Sequence, residues 1–268
     1  MIGEMLAAAP LFLLLAVRAL AMIETAPLLS AEANPQVARV ALAGFAAYAA
    51  FPSTQAINAQ GLELFSFSFL LLLAGEAIIG IIIGFYITMI FAAFSTAGQF
   101  FSLPMGFSAA ETMDPLSQTE NPLMGQYLNL VAMMVFLSMN GFRELFLGGF
   151  WRSVQTINIA ALAAGREKIT TMLLVGLSRL FLDAMVISLP ILGTLFLCSL
   201  STGLISKAAP QVNILTEGFP IAITVAFMLI LATMPFMVQS FSRVIEAGFN
   251  TLQSLYIEIG QRVMGGTI

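Results

Sequence analysis

Histidine is missing altogether from the 268 residues, and cysteine, tryptophan and tyrosine number one, one and four. Without imidazole the common zinc sites and the Ser-His-Asp triad cannot be assembled, which removes most hydrolase chemistry. The lone Cys198 permits no intrachain disulfide and leaves the redox compartment unread. Inside the apolar run from Pro190 to Leu204 it reads as a small buried hydrophobe. Charge is also scarce, at 9% of residues against roughly a quarter in an ordinary soluble domain. The 10 basic and 14 acidic residues are scattered singly, giving a net charge of -4 and no basic tract for nucleic acid or an anionic leaflet. No nucleic-acid partner is expected. No metal set and no cofactor motif stand out, and Gly203-Leu-Ile-Ser-Lys207 lacks the glycine-rich pattern of a phosphate-binding loop.

What fills the chain instead is apolar: 59% hydrophobic residues, with 23 Phe and 16 Met. So few charges cannot cover a water-soluble globule of this size, so the expected fold class is all-α, a polytopic helical membrane protein in contact with lipid. A bilayer core of ~30 Å needs about 20 apolar residues in helix. About six apolar segments approach or exceed that length and are expected to form kinked helical hairpins. Met5 to Leu29 is interrupted by Arg18 and Glu24, and with no Lys or Arg before it, it lacks the basic start of a cleavable signal and is expected to be retained. Val37 to Phe51 is short for a full span. Leu62 to Phe101 is too long for one untilted crossing and carries only Glu63 and Glu76. Ser102 to Pro122, with three prolines and three acids, cannot be helical throughout. Leu123 to Phe142 is uncharged. Ile169 to Ser206 holds Pro190, where a kink is expected, and Gly218 to Ser242 holds Pro220 and Pro235. The organisation expected is one domain over 1–268: apolar helices to 101, a loop over 102–122, apolar helices over 123–242, and a C-terminal helix over 243–268. Six crossings put both termini on one side. The basic residues of Arg143 to Lys168, with Arg243 and Arg262, mark that side as cytoplasmic, against Arg39 and Lys207 on the other.

Three features could carry function. Glu76, Gly80, Gly84 and Thr88 fall four apart and line one helix face, where the two glycines let another backbone approach. A carboxyl group within an apolar run is costly and faces a cavity or a polar partner, so both a plain helix contact and a functional site stay open. Arg179 and Asp183, also four apart, read as a neutralising pair. From Arg243 onward, Ile245, Phe249, Leu252, Tyr256 and Ile259 recur at alternating spacings of four and three, an amphipathic helix expected to dock on a partner helix in preference to lying on lipid. Finally, the central break combines Met105, Phe107, Met113 and Leu116 with Pro and Gly. Such irregular apolar backbone is tolerated where protein buries it or where it lines a cavity, and it can close a narrow pore by excluding water. A self-packed loop is the plainer alternative.

At these residues the chain resembles the FliR family of the flagellar export apparatus, whose counterpart in virulence-type secretion is the T component. The resemblance runs in order through Gly75-Glu-Ala-Ile-Ile-Gly-Ile-Ile-Ile-Gly-Phe85, Ala97-Gly-Gln-Phe-Phe-Ser-Leu-Pro-Met-Gly-Phe-Ser108 leading to Asp114-Pro115, Asn140-Gly141, Ser188-Leu-Pro190 and Ala209-Pro-Gln-Val-Asn-Ile-Leu-Thr-Glu-Gly-Phe-Pro220. Phe142 stands where the family often has His, Ala222 where a basic residue is common, and Leu103-Pro104 where a Gln-containing stretch is usual. The resemblance implies a subunit of a closed-pore export gate at the basal body of the bacterial inner membrane. In that gate FliP and FliQ subunits assemble with it, and its hairpins are raised largely above the membrane plane. It implies no bond chemistry and no cofactor. It implies a plug formed by Leu103, Pro104, Met105, Gly106, Phe107, Met113, Asp114 and Pro115, with exported flagellar proteins as substrates. It also makes the C-terminal helix the contact for an FlhB-like switch protein. Two rival readings are a self-contained secondary transporter using Glu76 or the Arg179 and Asp183 pair, and an assembly factor whose loop never gates.

Overall fold

In the computed structural model, residues 2–30, 34–54, 66–106, 123–157, 159–208 and 214–265 are described, and their regular elements are helical. They run α1 (Ile2–Thr25), α2 (Gln36–Ala50) with a 3-10 turn at Phe51–Thr54, and α3 (Phe67–Met105). Then come α4 (Leu123–Ser138), α5 (Gly141–Thr156), α6 (Ile159–Ala164), α7 (Arg166–Ala208) and α8 (Ile214–Gly265). Glu144–Trp151, the middle of α5, is a π-helix.

This is an all-α membrane protein. Three helical stretches are long and apolar enough to cross a bilayer, Phe67–Met105, Arg166–Ala208 and Pro220–Gly260. A fourth is added if the broken pair Leu123–Ser138 and Gly141–Thr156 makes one span. The sixfold segment count is therefore loose among the described residues, for two physical reasons. Val37 to Phe51 yields only the 15 residues of α2, and the apolar run ending at Ser242 passes without a break into the amphipathic stretch, both within the 52 residues of α8. Pro104, Pro190, Pro220 and Pro235 all lie inside helices. Each deletes an amide donor but ends no helix at that point, a concession that apolar surroundings and neighbouring helices make easier. At 1.5 Å per residue, α3, α7 and α8 extend ~58, ~64 and ~78 Å, roughly two to two and a half times a hydrocarbon core of ~30 Å.

The chain divides into two compact units. The first comprises residues 1–89, 140–176 and 246–268, the second 90–139 and 177–245. In the first, α1 packs on α2, and Leu11, Leu14, Leu15, Arg18, Ala19, Met22 and Ile23 of α1, with Ala26 just past its end, are buried. The N-terminal part of α7 enters at Gly176, against the ring of Tyr86 and the methyl of Met89. The second unit is uncharged at its core. Phe91 meets Phe94 and Phe136 edge to face at 6.1 and 5.5 Å between ring centres, and Phe94 meets Phe241 at 4.5 Å. Around these rings Leu128, Ala132, Ile191, Leu195 and Ala226 are fully buried.

Gly98 of α3 lies directly on Gly125 of α4: a Cβ at Gly98 would stand 2.6 Å from the Gly125 Cα, and would overlap the Met124 carbonyl. Two backbones this close cannot yield to a side chain. Gly98→Val is expected to destabilise the detergent-solubilised protein by about 3 kcal/mol, the upper end for overpacking. Gly44→Val, where nothing lies within 4 Å, should leave thermal unfolding nearly unchanged.

Candidate functional site at a buried polar seam

The seam between α1 and α3 begins as a packing problem. Gly80 of α3 sits under the Arg18 carbonyl, the Ala21 Cβ and the Met22 amide, and Gly84 sits under the Thr25 hydroxyl and the Met22 carbonyl. Any side chain at either glycine would drive the helices apart. One turn further, the Thr88 hydroxyl donates to the Thr25 carbonyl at 2.6 Å and to its own Gly84 carbonyl at 2.9 Å. One turn before Gly80, Glu76 accepts from Arg18 Nε at 2.5 Å. Glu76, Gly80, Gly84 and Thr88 thus meet α1 along one line.

Arg18 is the centre of this arrangement. Its side chain is 3% exposed and that of Glu76 12%, and no solvent-exposed route neutralises a charge so placed. Besides Glu76, the guanidinium donates from Nη2 to the Ile157 carbonyl at 2.9 Å and approaches the Ser153 hydroxyl from Nη1 at 3.4 Å. Ser153 in turn donates to the Phe150 carbonyl at 2.6 Å. One planar, multidonor group therefore joins α1, α3 and the C-terminal end of α5, which an ammonium on a flexible stem could not do with the same geometry.

The far side of α5 is held by α8. The Tyr256 hydroxyl, fully buried, donates to the Gly149 carbonyl at 3.0 Å. Arg152 Nη1 donates to Gln253 Oε1 at 2.9 Å, and Gln253 Nε2 donates to Glu144 Oε2 at 3.3 Å. Lys168 pairs with Glu258, and Gly165 lies against Ile259. Ile245, Phe249, Leu252, Tyr256 and Ile259 are all buried within the chain's own fold. The exposed face of this part of α8 is instead mainly polar, carrying Arg243, Glu246, Asn250, Ser254 and Ile257.

In the central break, α3 ends at Met105, fully buried, while Leu103 is 74% exposed. Pro104 lies in the last turn, and Gly106 takes φ 86, the left-handed position after a helix that favours glycine. Phe107, Met113, Asp114 and Pro115 lie outside the described residues. Arg179 is exposed and Asp183 half-buried. Arg18 pairs with Glu76, Arg39 with Glu24 and Lys168 with Glu258, and the Arg179 charge acts on the Asp183 carboxyl one turn along the same helix. No group of His, Cys, Asp and Glu suited to a metal ion occurs among the described residues.

A family model described as bacterial export proteins, family 1, matches residues 9–248. The chain belongs to that family. Its similarity to the flagellar biosynthetic protein FliR of Escherichia coli is 31% identity over 246 residues, covering 90% of this chain and 91% of the relative. FliR of Bacillus subtilis is 30% identical over 253 residues, with coverage of 94% and 96%. Yop proteins translocation protein T of Yersinia pestis is 27% identical over 173 residues, with 65% and 66% covered. The matched span takes in every residue of the seam from Arg18 to Ser153 and Ile157.

Sequence reasoning passed over Arg18 as an interruption of the first segment. Its signal was present: an isolated cation in an apolar helix needs a partner, and Glu76 is the matching isolated anion. Arg18→Ala, which strands the Glu76 carboxylate, is expected to destabilise this export-family protein by about 3–5 kcal/mol, read as a large drop in unfolding temperature or loss of the folded species in detergent.

Proposed function

We propose that this chain is a core, non-enzymatic subunit of the flagellar type III protein export gate in the bacterial inner membrane, at the flagellar basal body. In this reading it forms part of the wall and the plug of a conduit for unfolded flagellar proteins. The observation that carries the reading is the alignment over about nine-tenths of both chains with flagellar biosynthetic proteins. Two physical features support it. Helices roughly two to two and a half times the length of a bilayer core, with 17% of the most apolar window of Pro220–Gly260 buried, call for other protein or lipid around them. The FliP and FliQ subunits implied by the family are the natural covering. The second feature is chemical: the charges of the seam are engaged with one another, as in a framework, and the Glu76 carboxylate that a coupling ion would need is already taken by Arg18.

The plug in this reading is the segment from Leu103 to Pro115. Its first residues close α3, where Gly106 takes the left-handed position just past Met105, and its apolar residues would shut a narrow passage by dewetting. An FlhB-like switch protein would meet the exposed polar face of α8 from Arg243 to Ile257, since the apolar stripe opposite is occupied.

Deletion of residues 105–113 in the assembled complex tests the plug. Ion leak across the membrane is expected to rise severalfold over the unaltered complex, measured as dissipation of an imposed ion gradient. An unchanged leak with normal assembly would reduce the segment to an ordinary loop.

A further inference from the structure

The π-helix of α5 is eight residues long, Glu144–Trp151, whereas π geometry is rare and mostly confined to single-turn bulges, often at functional sites. Its hydrogen bonding is divided between registers at the C-terminal end. The Arg152 amide is shared between the Leu147 and Gly149 carbonyls, five and three residues back, and bypasses Gly148, the acceptor in an α-helix. Side chains from other helices hold this state. Tyr256 donates to the Gly149 carbonyl, Arg18 donates to the Ile157 carbonyl and lies near Ser153, and Gln253 bridges Arg152 and Glu144. Gly148 lies beneath that bridge: a Cβ there would stand 3.0 Å from Gln253 Nε2 and 3.1 Å from Glu144 Oε2, close enough to crowd both side-chain ends.

Both ends of α5 are non-helical joints. Asn140 is left-handed at φ 56 and ψ 38, and Ile157 is extended at φ -115 and ψ 113. Such joints can absorb the one residue of slack released when a π-helix tightens to α. The tightening would turn Arg152 and Ser153 about the axis by about 100°, away from Gln253 and Arg18. Backbone bonds are exchanged, not lost, so the two registers differ mainly in these side-chain contacts.

We infer that α5 is a two-register element, held in π form by Arg18, Tyr256 and Gln253, and that its passage to α form is a conformational step of export. This rests on the export reading above. The step converts a local change at the polar seam into a rotation of the α5 face, and gives the buried Tyr256 hydroxyl a function that packing alone would not require.

Deleting Leu147, an exposed residue, removes the extra residue and should fix α5 in the α register. The variant is expected to remain in the detergent-extracted complex within twofold of the unaltered chain while secretion of a flagellar reporter protein falls at least tenfold. Normal assembly with secretion within twofold would overturn the inference, making the π-helix a passive insertion. Should the deletion fail to assemble, Tyr256→Phe decides: retained assembly with secretion slowed threefold or more is expected, and unaltered secretion overturns it. Where the deletion assembles, adding Tyr256→Phe to it should bring no further loss, because the hydroxyl then has no register to hold. A strain lacking the whole chain that still secretes the reporter would instead overturn the export reading itself.

Discussion

Everything in the first unit depends on a guanidinium that has no water to turn to. Arg18 reaches a carboxylate on α3, a carbonyl just past α5 and a hydroxyl within it, and these three directions fix where the helices stand. A charge buried alone would cost far more than the fold could sustain, so the arrangement is all or nothing. The ion pair does not by itself make the protein stable, since its desolvation offsets much of its attraction. Its effect is selective: of the many ways apolar helices slide past one another, only one brings Arg18 onto Glu76. The glycines below act in the same direction by closeness of approach, and the Thr88 hydroxyl closes the line at Thr25.

The two units solve different problems. In the first, charged and hydroxyl groups tie short helical pieces together and hold the irregular α5 in its π form. In the second, phenylalanine rings and the Gly98 and Gly125 contact pack long apolar helices with no buried ion pair among the described residues. Large residues of α7 and α8 such as Leu174, Phe181, Leu204, Met228 and Leu231 remain exposed in the isolated chain, apolar surface that suits lipid or other protein.

Much of this was legible in the residues. The scarcity of charge forced the membrane class, and the spacing of Glu76, Gly80, Gly84 and Thr88 defined one helix face, since a period of four needs no knowledge of the rest of the fold. The amphipathic stripe of α8 was equally readable. What covers that stripe was not, because periodicity says only that something does. Arg18 and Glu76 are 58 residues apart, and single charges in an apolar chain advertise a need without naming the partner. Pro190 and Pro235 lie inside continuous helices, as the unbroken apolar runs around them led one to expect. The π-helix has no compositional mark. Its side-chain contacts come from α8 and α1, which only the folded unit brings alongside it.

The most direct test of the pair as a single interaction is a double-mutant cycle with Arg18→Met and Glu76→Leu, followed by unfolding of the purified protein in detergent. The double variant should be more stable than either single one, with a coupling of about 2 kcal/mol or more. Additive losses from the two substitutions would mean that the seam is held by apolar packing, and that Arg18 does not govern how α1, α3 and α5 meet.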